Sequence, residues 1–187
     1  KITTERDPEL VGLFPGSRER EVARLFPTML EAARRMHTEQ PSLHFQAPAA
    51  SEKLAAKMHL LLEKAKLPAN LITISQGDSQ ALMQRAACGV IASGTATLEA
   101  AYYRLPYCLV YSIAWPTYFI GKMLVKIDYI GLVNILAGKQ VIEEFIQGDA
   151  DPCHIQQSLE RFLSNPAHTH KVQSELAETA DKLGAPG

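Results

Sequence analysis

The sequence is poor in cysteine, and the cysteines it has are not spaced to act together. Cys88, Cys108 and Cys153 are far apart, odd in number, and form no CxxC pair. That pattern indicates neither a disulfide framework nor a zinc site, and a reducing, cytoplasmic setting is expected. Net charge is also scarce, with a formal balance of -1 at pH 7. A globally basic surface is therefore absent, and nucleic acid is not an expected partner. No apolar run reaches the roughly 18 residues of a membrane span, and no segment reads as a signal peptide. Neither GxxxxGK[ST] nor GxGxxG occurs, so a Walker ATPase or a dinucleotide fingerprint is not supported. There is no internal repeat and no low-complexity segment.

What is present is a globular mixture, 47% hydrophobic and 21% charged over 187 residues. That length is enough for a good core and suggests one domain with at most a small appendage. The first residue is Lys1, and the chain is expected to be part of a longer protein. Apolar runs of strand length alternate with helical patterns. Strands are expected at Leu10 to Phe14, Leu43 to Ala47, Leu71 to Ile74, Cys88 to Ala92 and Tyr107 to Tyr111. Between them, Val22, Leu25, Phe26, Met29, Ala33 and Met36 share one helical face. Pro27 is expected to kink that helix or to restart it. Further helices are expected at Ser51 to Lys66, Asp78 to Ala87 with Asp78 as N-cap, Thr95 to Tyr103, Pro116 to Val125, about Pro152 to Leu163, and Ala167 to Lys182. Asp128 to Gly138 reads as irregular. The alternation predicts an α/β fold, a doubly wound parallel sheet covered on both faces.

Two glycine turns stand at strand ends, where such sheets bind ligands. They are "LFPGSRERE" after the first strand and "IASGTATLE" after the fourth. A helix N-terminus offers unpaired N–H groups and a positive dipole end, which suits phosphate. Gly16 and Gly94 allow close backbone approach, and Ser17, Ser93 and Thr95 add hydroxyl donors. Arg18 can clamp a diphosphate through charge-assisted bonds of roughly 1.5–3 kcal/mol each. The plain alternative is that Ser17 and Thr95 are N-caps and the glycines are turn residues. A capping box needs Glu or Gln three residues after the cap. Leu98 and Arg20 stand there instead, so Glu99 is not a capping partner of Thr95. Arg18 opens a helix, where the dipole disfavours a cation, and so calls for an anion or a carboxylate.

With these turns, "KMLVKIDYIGLVNILAGKQVIEEFIQ" completes a series of three motifs in order. Together they resemble the C-terminal half of lipid A disaccharide synthases, over residues 10 to about 165. The resemblance implies the C-terminal Rossmann-like domain of a two-Rossmann-domain (GT-B type) glycosyltransferase. It further implies a reaction joining a UDP-activated diacylglucosamine to a diacylglucosamine 1-phosphate, with release of UDP, at the cytoplasmic face of the inner membrane. The implied partners are the UDP-diacylglucosamine donor and, through the other half, a lipid acceptor. By the same resemblance Gly16, Ser17 and Arg18 meet donor phosphate, Ser93, Gly94 and Thr95 face the diphosphate, and Glu99 holds ribose hydroxyls. Asn134, Glu144 and Gln147 match positions expected near the sugar, and Val133 replaces a usual proline. Residues 1–165 are then the donor domain, and 166–187 a helix packing on or toward the N-terminal half. The family's catalytic aspartate is assigned to that half, so no catalytic residue is expected here, only donor binding without full turnover. No cofactor and no metal is implied. A UDP-sugar epimerase-like domain, or a non-catalytic nucleotide- or lipid-binding module at a membrane surface, are the alternatives.

Asp149-Ala150-Asp151 matches the DxD pattern of a different glycosyltransferase fold, but Asp151 before Pro152 reads more simply as an N-cap. His168 and His170 read as a solvated helix start rather than metal ligands. Residues 102 to 129 hold all six tyrosines and the only tryptophan, with Arg104, Lys122 and Lys126 against the single acid Asp128. Core packing explains most of them. Trp115, Tyr118, Phe119, Lys122 and Lys126 form a candidate membrane contact.

Overall fold

The computed structural model describes residues 5–68, 70–111 and 129–183. The helix expected at Pro116 to Val125, and Trp115, Tyr118, Phe119, Lys122 and Lys126, lie outside these residues. Six described strands form one parallel sheet: β1 (Asp7–Phe14), β2 (His44–Ala49), β3 (Ile72–Gln76), β4 (Ala86–Ala92), β5 (Tyr107–Tyr111) and β6 (Glu144–Ile146), in the order β3-β2-β1-β4-β5-β6. Register is fixed by pairs such as Val11 with Phe45, Gly12 with Gly89, and Ile91 with Leu109. The chain runs outward from β1 to β3 and then returns to β4 on the other side of β1. Right-handed crossovers therefore put the first two helices on one face and the next two on the other. α1 (Glu19–Glu39), α2 (Glu52–Ala65) and α6 (Pro152–Ser164) pack on one side. α3 (Ser79–Arg85), α4 (Ala96–Tyr102), α5 (Leu132–Ala137) and α7 (Pro166–Leu183) form the other.

The strands bury residues on both faces, as a covered parallel sheet requires. Val11, Leu13, Val90, Ile91, Leu109 and Val110 are all buried, with Phe26, Met29, Phe45 and Tyr107 among the largest enclosed side chains. α1 runs through Pro27 without a restart. Pro27 lies on the exposed face, while Val22, Leu25, Phe26, Met29, Leu30, Ala33 and Met36 are buried on both sides of it. Their burial, at about 1.5–3 kcal/mol per large side chain, outweighs the roughly 3 kcal/mol an interior proline costs. α7 buries Val172, Leu176 and Thr179, packing on α4, α5 and α6 of this same unit.

Three local expectations are corrected. Residues within Asp128 to Gly138, expected to be irregular, contain the helix α5. Glu144–Ile146 adds a sixth, edge strand that the pattern does not announce. The third helix stops at Arg85, and Ala86 and Ala87 already belong to β4. At the pole opposite the strands' carboxyl ends, Arg6 donates from Nη1 to the carbonyls of Met83 (2.8 Å) and Ala86 (2.6 Å), and from Nη2 to that of Tyr103 (2.6 Å). These are the C-terminal ends of α3 and α4, where a cation is favoured. Burial lowers Arg6 to about 10, so it stays charged at neutral pH. No helix among the described residues is long and apolar enough to cross a membrane.

Candidate functional site

β1 and β4 are neighbours, and their following helices lie on opposite faces. The crevice between them, at the carboxyl ends, is where a doubly wound sheet binds ligands. A cavity of about 580 Å³ opens there. It is lined from one side by Gly16, Ser17 and Arg18 and from the other by Ser93, Gly94, Thr95 and Glu99. Seven of the residues singled out from sequence therefore meet in one place, from two turns more than seventy positions apart in the chain.

The first turn owes its shape to Gly16, which has φ +102°. A Cβ there would stand 2.7 Å from the Glu21 carboxylate. The first backbone bond of α1 runs from the Val22 N–H to the Arg18 carbonyl (3.0 Å), so the N–H groups of Glu19, Arg20 and Glu21 have no helical acceptor. Arg18 meets Glu21, Nη1 to Oε1 at 3.2 Å, and its side chain is 82% exposed. The carboxylate that Arg18 calls for is thus supplied by its own helix. An exposed pair of this kind is worth under about 1 kcal/mol and yields readily to a better anion.

In the second turn, the Ser93 N–H donates to the Val110 carbonyl at 3.1 Å, continuing the β4–β5 ladder. Among the described residues, the N–H groups of Gly94, Thr95 and Ala96 and the hydroxyls of Ser17, Ser93 and Thr95 show no acceptor or donor partner. Thr95 stands at the N-cap position but makes no side-chain cap, against the plain reading of that residue. The turn is closed instead by Thr97, 1% exposed, whose hydroxyl (2.7 Å) and N–H (3.2 Å) both donate to the Gly94 carbonyl. The Tyr107 hydroxyl, from β5, donates to the Thr97 carbonyl at 3.3 Å. Burial drives the Tyr107 phenol well above its usual value, so it remains a neutral donor. Thr97 was not singled out from sequence, although a threonine three residues past a turn glycine has the reach to bind its carbonyl.

The sequence reading also missed a third wall. Pro48, Ala49 and Ala50 at the end of β2, with Gly77, Ser79 and Gln80 after β3, complete the lining. Asp78 is at the N-cap of α3 as expected, yet its side chain caps nothing. Its carboxylate accepts from Gln46 Nε2 (2.8 Å) and from the Ser75 hydroxyl (2.6 Å). Gln46 in turn accepts from Arg85 at 2.9 Å. This network holds the wall from behind. The visible signal was Gly77, at φ +70°, in a turn between a strand and a helix.

Asn134, Glu144 and Gln147 are not among the residues lining the cavity. Asn134 is fully buried. Its Oδ1 accepts the N–H groups of Val141 (2.7 Å) and Ile142 (3.0 Å). Its Nδ2 donates to the Ile142 carbonyl (2.9 Å) and to Glu144 (2.7 Å). Glu144 also accepts from the N–H groups of Ile130 (2.8 Å) and Gly131 (2.9 Å). These two side chains tie α5 to β6. Gln147 follows directly on β6, with φ +56°.

Asp151 is the N-cap of α6, accepting from the N–H groups of Cys153 (2.7 Å) and His154 (3.0 Å), with Pro152 in the first turn. His168 stacks on Phe162 with centroids 5.4 Å apart, and its N–H is capped by Asn165 (3.0 Å).

A family model described as Lipid-A-disaccharide synthetase matches residues 1–185. The lipid-A-disaccharide synthase of Persephonella marina is 36% identical over 189 residues, covering all of this chain and 50% of that protein. The chain spans about half the length of the curated relatives it matches. Among solved structures, a Staphylococcus aureus TarM variant in complex with Fondaparinux, alpha-GlcNAc-glycerol and UDP aligns with a TM-score of 0.63 at 15% identity, over 97% of this chain and 34% of that one. The C-terminal CMP-Kdo binding domain of WaaA from Acinetobacter baumannii aligns with a TM-score of 0.61 at 13% identity, over 91% of this chain and 88% of that one. These likenesses show the fold, a Rossmann-like domain of the GT-B type.

Proposed function

Because the chain belongs to the lipid-A-disaccharide synthase family, we propose that it is the donor-binding half of a glycosyltransferase that moves diacylglucosamine from its UDP derivative to a diacylglucosamine 1-phosphate. The observation that carries this reading is the meeting of the Gly16–Arg18 and Ser93–Thr95 turns across one cavity, with Glu99 one helical turn further in. In the proposal, Arg18 and the unpaired N–H groups of Gly94, Thr95 and Ala96 hold the diphosphate. They stabilise the charge that develops as UDP leaves, as preoriented donors do. Glu99, about 5–6 Å beyond Thr95 along the helix, accepts from ribose hydroxyls. The proton of the acceptor hydroxyl goes to a base on the acceptor-side half. Residues 1–165 are the donor unit, and the outer flank of the helix from 166 onward faces that other half. In this reading, with a lipid donor and a lipid acceptor, the protein works as a peripheral enzyme at the cytoplasmic face of a membrane. The epimerase and the non-catalytic module are not favoured, since the family and the relatives are synthases.

The test is calorimetric titration of UDP into this chain and into Arg18→Ala. Binding by the parent, weakened in the variant by about 1–3 kcal/mol, is the expected result. Equal affinity in both would remove Arg18 from the phosphate site. No binding by either, repeated with the full-length protein, would refute the cradle.

A further inference from the structure

In the donor reading a diphosphate enters a cavity that, among the described residues, is lined by one cation and two carboxylates, Arg18 against Glu21 and Glu99. Glu99 has a ribose to bind. Glu21 has no part in that reading, yet it lines the cavity and lies close to both Arg18 and Gly16. Oε1 accepts from Arg18 Nη1 at 3.2 Å, and Oε2 lies 2.7 Å from where a Cβ on Gly16 would be. It stands in the first turn of α1, where N–H groups lack acceptors and the dipole favours negative charge. Glu21 thus occupies the electropositive ground that a phosphate would take, and it holds the arginine that would bind that phosphate.

We infer that Glu21 is the counter-charge of the cavity and makes it prefer a diphosphate esterified at both ends, as in a nucleotide sugar, over one with a free end, as in a nucleoside diphosphate. The inference rests on the donor reading above. A doubly esterified diphosphate carries two charges. A terminal phosphate ionises a second time near pH 6, so the free nucleotide carries a third at neutral pH, on the end that lies toward the reacting sugar. An incoming ligand takes Arg18 from Glu21 and then has that carboxylate as a neighbour. Repulsion from a fixed charge scales with the charge of the ligand, so it bears harder on the product than on the donor. The same carboxylate that parks Arg18 in the empty cavity then helps to expel the spent nucleotide. A surface ion pair alone accounts for the direction of Arg18. It does not account for a carboxylate seated over a glycine inside an anion cavity.

The test compares UDP and UDP-N-acetylglucosamine as ligands for this chain, Glu21→Gln and Glu21→Asp, by calorimetry at low and high salt, with thermal midpoints measured alongside. Glu21→Gln should tighten UDP more than the nucleotide sugar, shifting the ratio of their dissociation constants by roughly three- to tenfold. The shift should shrink in about 1 M salt, where the screening length falls to about 3 Å, and Glu21→Asp should keep the parent's ratio. An unchanged ratio in Glu21→Gln overturns the inference. So does weaker UDP binding at an unchanged thermal midpoint, since Glu21 would then be positioning Arg18 for the phosphate. No binding of either ligand by this chain, repeated with the full-length protein, removes the donor reading and this inference together; a parent that binds both with a ratio unmoved by Glu21→Gln removes this inference alone.

Discussion

Replacing Asn134 with alanine tests whether four hydrogen bonds, rather than a ligand, account for that residue. The substitution leaves the N–H groups of Val141 and Ile142, the Ile142 carbonyl and one Glu144 oxygen each short of a partner. An unsatisfied buried polar group costs about 1–3 kcal/mol. These four are neighbours and relax together, so their costs do not add fully. The Glu144 oxygen still accepts from the Gly131 N–H, so three groups are left unsatisfied, and the lower end of the range, about 3 kcal/mol in all, is the working figure. For a chain of this size each kcal/mol moves the melting midpoint by roughly 2–4 °C, so Asn134→Ala should melt roughly 6–12 °C below the parent. Asn134→Asp should fare no better, because it sets a second carboxylate against Glu144, where Nδ2 now stands 2.7 Å from Oε1. Differential scanning calorimetry of the two variants, without ligand, is the assay. An alanine variant that melts with the parent and loses only UDP affinity would refute the reasoning and return Asn134 to the substrate.

Gly16→Ala should lose about 1–3 kcal/mol of stability, since φ is +102° and the new methyl meets Glu21; a urea titration checks this, and a variant as stable as the parent contradicts it. The three thiols should separate cleanly. Burial pushes the Cys108 thiol up to about 12 and Cys88 higher still, while Cys153 is exposed. A thiol reagent at pH 8 should therefore label Cys153 alone in the folded protein and all three after unfolding.

Much of this architecture was legible because strands and helices of ordinary length carry their period in the sequence. Tyr107–Tyr111 was read to the residue, and the buried stripe of α1 was read through its proline. The two glycine turns were legible as local chemistry, and the sheet order brings them together. What escaped was held by tertiary bonds. β6 has three residues and α5 six, too few for a period to show, and both are fastened by Asn134 and Glu144. The third wall of the cavity has no motif. Asp78 looks like a helix cap, but Gln46, thirty-two positions away, claims its carboxylate, and no local pattern announces that.

Arg6 acts as a strut between two levers. α3 and α4 point their first residues, Ser79, Gln80 and Ala96, into the cavity, and one guanidinium clips their far ends together. Neither helix can slide along its axis without dragging the other or snapping a charge-assisted bond. Two helices that reach the cavity from one end are thus coupled at the opposite pole of the molecule, by a side chain that is not among those lining the cavity.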